Sequence, residues 1–185
     1  MRVFVSVDLP EELEETVAEL QEAFADAEGL NVTDPGQAHV TLKFLGAVSE
    51  DRLPELKREL AAGVAEAGVD AFTARVGGLG VFPNLEYISV LWVGFEAGGE
   101  ELTRLHEALE ERTVEMGFEP ETHEFTPHVT LARMEHAGGK ELVQKLVRER
   151  DPTVGEFRVT EVRLTESTLT DDGPVYSTVE RFGLE

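Results

Sequence analysis

An exact four-residue repeat constrains the fold of this chain more than any other feature. His-Val-Thr-Leu occupies residues 39–42 and again residues 128–131. Both copies lie on short segments of apolar and β-branched residues, which predicts two strands. Because residues i and i+2 of a strand point to the same face, each copy presents an imidazole beside a hydroxyl, while Val and Leu enter the core. If the two halves are related by a pseudo-twofold axis, His39 and His128 face each other across a groove.

The rest of the chain mixes strands and helices without strict alternation. Four segments carry apolar residues at helical spacing, and shorter apolar segments between them predict strands. This order favours an α+β fold with mostly antiparallel sheets flanked by helices. No low-complexity linker divides the chain, so residues 1–185 are predicted to form one domain. Residues 77–84 are expected to form a loop, and residues 156–166 and 176–182 the last two strands.

The repeated residues suit the opening of a phosphodiester. One base must take a proton from the attacking water, and one acid must protonate the leaving sugar oxygen. Imidazole, with an ordinary pKa of about 6.5, can do either near neutral pH. The hydroxyls of Thr41 and Thr130 can bind the non-bridging phosphate oxygens. His39 and His128 are therefore the candidate catalytic pair.

Several neighbouring side chains are candidates for binding the substrate. Lys43 and Arg133 follow the two motifs, and Arg2 lies on the first strand. All three are expected to bind the negatively charged phosphate. Phe82, in the predicted loop, is a candidate for stacking on a base, with a core anchor as the alternative. His106 is expected at the surface of a helix.

Metal and cofactor sites are not predicted. His123 and His136 lie in polar surroundings and are expected to be solvated. A metal site built from His123, His128 and nearby acids is disfavoured, because no pair of these residues has a recognised ligand spacing.

The charge of the chain is strongly negative. It has 38 acidic and 16 basic residues, for a formal net charge of −22. The acids are spread along amphipathic segments, which predicts solvated faces rather than a disordered tail. At about 1 M salt the Debye length falls to about 3 Å and screens such self-repulsion. The composition favours a halophilic source, with an ordinary acidic protein as the alternative.

Composition also bears on location and partners. No stretch approaches the roughly 20 apolar residues of a membrane span, and the N-terminal residues become acidic too soon for a signal peptide. We therefore expect a cytoplasmic protein without a membrane partner. The sequence has no coiled-coil pattern that would predict pairing with a second chain, which favours a monomer. The lack of an extended basic patch argues against a general RNA-binding protein.

The two motifs and their flanks resemble a known family. Residues 39–46 and 125–133 are similar to the two signatures of the two-histidine phosphoesterases, and more narrowly of the RNA 2′,3′-cyclic phosphodiesterases, long called 2′-5′ RNA ligases. The resemblance covers nearly the whole chain. It implies two similar lobes with the active-site groove between them. It also implies metal-independent hydrolysis of a terminal 2′,3′-cyclic phosphate to a 2′-phosphate, and a reverse activity that joins RNA ends.

The resemblance leaves roles and substrates open. It implies an RNA with a cyclic phosphate end as the partner, with tRNA fragments as one candidate. We favour His128 as the base and His39 as the acid, although the sequence does not assign these roles. Residues 85–88 are Leu-Glu-Tyr-Ile where the family is often basic, which leaves contact with a longer RNA open. The alternatives are a phosphodiesterase of a small cyclic nucleotide, such as ADP-ribose cyclic phosphate, and a non-catalytic RNA- or nucleotide-binding module.

Overall fold

The protein is an α+β structure of nine strands and four helices. The structure is a computed structural model that describes all 185 residues. The strands are β1 (Arg2–Asp8), β2 (Leu30–Val32), β3 (His39–Ala47), β4 (Phe72–Pro83), β5 (Ile88–Ala97), β6 (Val129–Met134), β7 (Thr153–Val159), β8 (Glu161–Thr170) and β9 (Gly173–Gly183). The helices are α1 (Glu14–Glu22), α2 (Leu53–Ala67), α3 (Gly99–Glu115) and α4 (Lys140–Glu149).

All the strands belong to one antiparallel sheet made of two similar halves. The strand order is β7-β4-β5-β6-β3-β1-β8-β9, with β2 added beside β6. We call β3, β1, β8 and β9 the His39 half-sheet, and β6, β5, β4 and β7 the His128 half-sheet. The ladder between the two half-sheets consists of one pair, Val40 with Val129. The predicted pair of related antiparallel halves is confirmed, and the two halves form one continuous sheet.

The helices cover the sheet and close a single apolar core. Helices α2 and α3 pack against each other, α3 contacts β3 and β5, and α1 contacts β6 and β7. Leu102, Leu105 and Leu109, at helical spacing on α3, are all fully buried. The Val and Leu residues of both motifs are also fully buried, as strand alternation predicts. Burial of this face fixes which residues of each motif face the groove.

Two predictions of local structure were wrong. Residues 77–83 continue strand β4 rather than forming a loop. The pairing of β4 with β5 slips between Val76 and Leu79, so the two glycines at 77 and 78 form a bulge within the ladder. The segment predicted as one strand over 156–166 is two strands, β7 and β8, separated at Thr160.

None of the four helices combines the length and the apolar character needed to cross a bilayer.

Candidate active site

The two repeated motifs meet at the centre of the sheet. Val40 and Val129, the second residue of each motif, pair across β3 and β6. The pseudo-twofold axis therefore passes between these two valines. Each motif places its histidine and threonine on either side of the valine, on the opposite face of the strand from the core. The four polar side chains are all half-buried.

A backbone carbonyl fixes the orientation of each imidazole. His39 Nδ1 lies 2.9 Å from the carbonyl oxygen of Gln37, and His128 Nδ1 lies 2.7 Å from that of Thr126. A carbonyl only accepts hydrogen bonds, so Nδ1 donates in both rings and the free lone pair is on Nε2. His39 Nε2 is 3.1 Å from Thr41 Oγ1, whereas His128 Nε2 has no partner within the protein.

Burial lowers the pKa of both histidines below the ordinary value. For His39, desolvation is the largest cause; the bond to Gln37 and the charge of Asp8 oppose it, and the charge of Arg133 adds to it. For His128, desolvation is again the largest cause; the bond to Thr126 opposes it, and the charges of His39 and Arg133 add to it. Both rings are therefore neutral over more of the pH range than a solvated histidine.

Arg133 is the cation that the structure brings to both motifs. Its charge contributes to the lowered pKa of His39 and His128 and opposes the raised pKa of Tyr176, and these residues lie on both sides of the groove. Its side chain is exposed. The register of β6 against β5 slips between Leu91 and Trp92, and this bulge turns Arg133 to the same face as Thr130.

The prediction that Lys43 binds phosphate is wrong. The register of β3 against β1 slips between Val5 and Ser6, so Leu42 and Lys43 both point to the core face. Lys43 is only 4% exposed. Its Nζ lies 2.5 Å from Glu110 Oε1 and 2.6 Å from the carbonyl oxygen of Glu119. Because of the bulge, Lys43 lies on the core face, where it forms a buried ion pair, rather than in the groove.

The two bulges show which residues are equivalent in the two halves. Lys43 corresponds to Ala132, and both are buried. Phe44 corresponds to Arg133, and Phe44 is 66% exposed on the groove face. Phe44 could not be predicted as a groove residue, because in an uninterrupted strand it would lie on the core face with Val40 and Leu42.

Arg2 does not reach the motifs, which corrects the third predicted phosphate contact. It pairs with Ala47 at one end of β1, whereas Asp8 pairs with His39 at the other end. Six residues of strand span about 20 Å at roughly 3.3 Å per residue. Arg2 is exposed and makes no ion pair.

Aromatic rings surround each histidine. Phe82 meets His128 edge-to-face at 4.8 Å between ring centroids, and Trp92 lies 5.9 Å from the same ring. In the other half, the rings of Phe4 and Tyr176 lie 5.0 Å and 5.1 Å from His39. Phe82 thus forms part of the wall beside His128. These rings displace water and account for the desolvation of both imidazoles.

Tyr176 and Gln37 are site residues that the sequence analysis did not identify as such. The Gln37 side chain accepts a bond from the Tyr176 backbone N–H at 2.8 Å and donates to the Pro174 carbonyl at 3.0 Å. It thereby ties the β8–β9 hairpin to the segment that orients His39. Burial raises the pKa of Tyr176. No local pattern signals this contact, because the residues are far apart in the chain.

His106 is buried rather than at the surface, which corrects a further prediction. Its Nδ1 lies 2.7 Å from the carbonyl oxygen of Leu42. Its ring stacks on Phe125 with centroids 4.2 Å apart and planes within 7°. His106 therefore connects the backbone of the first motif with the segment that precedes the second.

The remaining histidines are exposed, as predicted. His136 accepts a bond from the Gly138 backbone at 3.1 Å and begins a 3₁₀ turn before α4, and His123 lies in an exposed segment. No group of three or more His, Asp and Glu side chains is arranged to hold a metal ion.

Comparison with known proteins agrees with this geometry. A family model described as the 2′-5′ RNA ligase superfamily matches residues 3–171. A protein of Methanothermobacter thermautotrophicus named RNA 2′,3′-cyclic phosphodiesterase is 35% identical over 186 residues, covering 100% of this chain and 99% of the relative. A protein of the same name from Methanocaldococcus jannaschii is 31% identical over 183 residues, covering 98% of this chain and 100% of the relative.

A solved structure gives the same result for the fold. The crystal structure of the protein TT0787 of Thermus thermophilus is similar with a TM-score of 0.81 and 32% identity, covering 100% of this chain and 98% of the other. The agreement extends over the whole chain and includes both motif strands. This chain belongs to the 2′-5′ RNA ligase superfamily.

Proposed function

We propose that this protein hydrolyses the 2′,3′-cyclic phosphate at the end of an RNA to a 2′-phosphate. The observation that carries the proposal is the pair of imidazoles on either side of one groove, each fixed through Nδ1 so that Nε2 is the nitrogen that can exchange a proton. Hydrolysis of a cyclic phosphate needs one proton acceptor and one proton donor on opposite sides of the phosphorus. Relatives that match the whole chain carry the name of this activity.

The groove offers a binding site for the phosphate between the two histidines. The hydroxyls of Thr41 and Thr130 can donate hydrogen bonds to the non-bridging oxygens, and Arg133 can balance their charge. Two hydroxyls and one cation hold an anion without the basic surface of a general RNA-binding protein. This fits a chain with a net charge of −22.

We assign His128 as the base and His39 as the acid. His128 Nε2 has no protein partner and is free to accept a proton from water. His39 lies opposite Asp8 in the sheet, and the negative charge of Asp8 favours the protonated imidazole. Water attacks phosphorus as His128 takes its proton, and the 3′ oxygen leaves with a proton from His39, so the phosphate remains on the 2′ oxygen.

The same chemistry supports the joining of RNA ends. A 5′-hydroxyl in place of water would give a 2′-5′ linkage through the same base and acid. The family description includes this activity. We propose ligation as a second reaction of the same site.

The substrate and setting are further parts of the proposal. We infer that RNA fragments with cyclic phosphate ends, tRNA fragments among them, are the substrates. An RNA substrate supports a cytoplasmic location, and the absence of a coiled-coil pattern supports a monomer. The two imidazoles supply both proton transfers, so the reaction does not require a metal ion.

The product of the reaction tests the proposal. A short RNA ending in 2′,3′-cyclic phosphate would be incubated with the protein in the presence of a chelator, and the product analysed for the position of its phosphate. We expect a 2′-phosphate. A 3′-phosphate, or turnover of ADP-ribose cyclic phosphate without turnover of RNA, would refute the proposal. Binding of the RNA without turnover would favour a binding module.

A further inference from the structure

The two histidines have opposite neighbours in the two half-sheets. Val7 pairs with Val40 as Val93 pairs with Val129. The residue after Val7 is Asp8, which lies beside His39, and the residue after Val93 is Gly94, which occupies the equivalent position beside His128. Asp8 bonds Arg163 at 2.9 Å, so an ion pair fills the space next to His39. At Gly94 the equivalent space is taken by the Trp92 ring, which lies 3.0 Å from the position that a Cβ would occupy.

The glycine positions extend away from His128 across two strands. Gly77 and Gly78 form the bulge of β4 opposite this part of β5. Gly80, paired with Trp92, stands where the other half-sheet has Arg163, paired with Ser6. A Cβ at Gly80 would come within 2.2 Å of the Trp92 ring. The glycines therefore allow the indole to lie flat on the sheet.

A cavity of about 810 Å³ opens at the end of this glycine surface. It lies between the bulge of β4, the first turns of α3 and residues 126–127, which lead directly into His128. Its size falls within the roughly 300–1,000 Å³ of small-molecule sites. Trp92, Leu79 and Phe95 provide its apolar wall. Since Trp92 also contacts Phe82 and lies beside the His128 ring, one indole borders both the catalytic histidine and the cavity.

The charges around the cavity indicate what it can hold. Glu100 and Glu107 line it, and both carboxylates disfavour a phosphate. Arg104, the cation of the lining, donates to the carbonyl oxygens of Ala67 and Gly68 at 3.1 and 3.2 Å. An uncharged planar group fits this lining, because aromatic walls stack on bases.

We propose that this cavity is a nucleoside-binding subsite, in which a base and ribose of the RNA lie beside His128 while the phosphate lies at the two motifs. The subsite rests on the proposed function, since it places the RNA on the His128 side of the groove. The nucleoside has three sources: the terminal nucleotide, the preceding one, and the first nucleotide of a 5′-hydroxyl strand in ligation.

Trp92 allows the subsite to be tested without turnover. It is the only tryptophan of the chain, so tryptophan fluorescence reports on the cavity wall. We expect adenosine, the nucleoside common to all three sources, to change this fluorescence saturably and inorganic phosphate at equal concentration to leave it unchanged. Equal responses to both would overturn the proposal. Because binding is measured directly, this result is independent of whether the protein hydrolyses cyclic phosphates.

Variants that fill the cavity give the second test. Thr103→Tyr places a ring in the cavity, and Glu107→Tyr does so from an exposed lining position where folding is insensitive to the change. Glu111→Tyr, one turn further along α3 and outside the cavity, is the matched control. We expect both cavity variants to weaken adenosine binding about tenfold or more, in line with the loss of one stacked base. Binding equal to that of Glu111→Tyr would overturn the subsite.

Substrate length identifies the source of the nucleoside. The Michaelis constants of the same variants would be compared for adenosine 2′,3′-cyclic phosphate, for a dinucleotide ending in cyclic phosphate, and for a 5′-hydroxyl acceptor in ligation. If the Michaelis constants of the first two substrates both increase, the cavity holds the terminal nucleoside. If only that of the dinucleotide increases, the cavity holds the preceding nucleoside. If only that of the acceptor increases, the cavity holds the first nucleoside of the joined strand. No increase in any of them would overturn the proposal.

Discussion

The two imidazoles share one orientation and differ in their charged surroundings. Each donates from Nδ1 to a carbonyl two residues earlier in the chain. Burial and the charge of Arg133 disfavour a proton on both rings. The charge of Asp8 favours a proton on His39 alone. This one difference within a similar geometry suits a reaction that needs one base and one acid.

The pH dependence of the reaction follows from these pKa shifts. Burial lowers the pKa of both histidines, so each loses its proton below about pH 6.5. One ring must be neutral and the other protonated, so kcat/KM is greatest between the two pKa values and falls on either side. We expect a bell-shaped kcat/KM profile with its maximum on the acidic side of pH 6.5. A maximum above pH 7 would contradict this expectation.

Replacement of Asp8 tests the assignment of roles. Asp8→Asn removes the charge that favours protonated His39, so the pKa of His39 falls further. If His39 is the acid, the alkaline limb of the kcat/KM profile moves to lower pH. Movement of the acidic limb instead would make His39 the base. Glu161→Gln is the matched control, because Glu161 also bonds Arg163 but does not pair with His39.

At the scale of the strand, the bulges determine that Arg133, and not Lys43, lies on the face of the two motif histidines. The alternation of the two motifs could be read from the sequence, because buried Val and Leu fix the face of His and Thr. The bulge at the end of each motif could not be predicted from the sequence. No residue type there indicates that two consecutive side chains point into the core. Lys43, the cation that follows the first motif directly, was therefore assigned to the wrong face.

Matched substitutions on the two motif strands test this account. Lys43→Met keeps the length of a buried side chain and removes its charge, so kcat/KM of the folded protein should stay within about twofold of wild type. Arg133→Met removes the cation that the structure places near both imidazoles. It should lower kcat/KM by about tenfold to a hundredfold, the scale of a charge-assisted hydrogen bond of about 1.5–3 kcal/mol. Equal losses in both variants would contradict the bulged register.

At the scale of the whole molecule, the two halves share a scaffold and differ in what surrounds each histidine. The repeat in the sequence was sufficient to predict two related antiparallel halves. The glycines at 77, 78 and 80 suggested a loop, because glycine is rare within strands. They instead lie within β4, where the bulge and the flat Trp92 ring need them. This role of the glycines depends on the pairing of β4 with β5, which the local sequence does not show.

The net charge of −22 also acts at this scale. Spread over one small protein, it destabilises the folded state through self-repulsion, which salt screens. The melting temperature should therefore rise as KCl increases from about 0.1 M to above 1 M, with hydrolysis retained. A variant with glutamine at four exposed glutamates of the first helical region should show a smaller rise: Glu12, Glu15, Glu19 and Glu22. Unfolding above 1 M KCl would contradict the proposed adaptation to salt.

The loss of each histidine in turn tests the two-histidine reaction most directly. Hydrolysis of a short RNA ending in 2′,3′-cyclic phosphate would be followed with chelator present for wild type, His39→Ala and His128→Ala, with His136→Ala as the control for an exposed histidine. Each motif variant should remain folded and lose about 10²–10⁴-fold in kcat, and the control should keep wild-type activity. Near wild-type turnover by either motif variant would remove that histidine from the reaction and contradict the account.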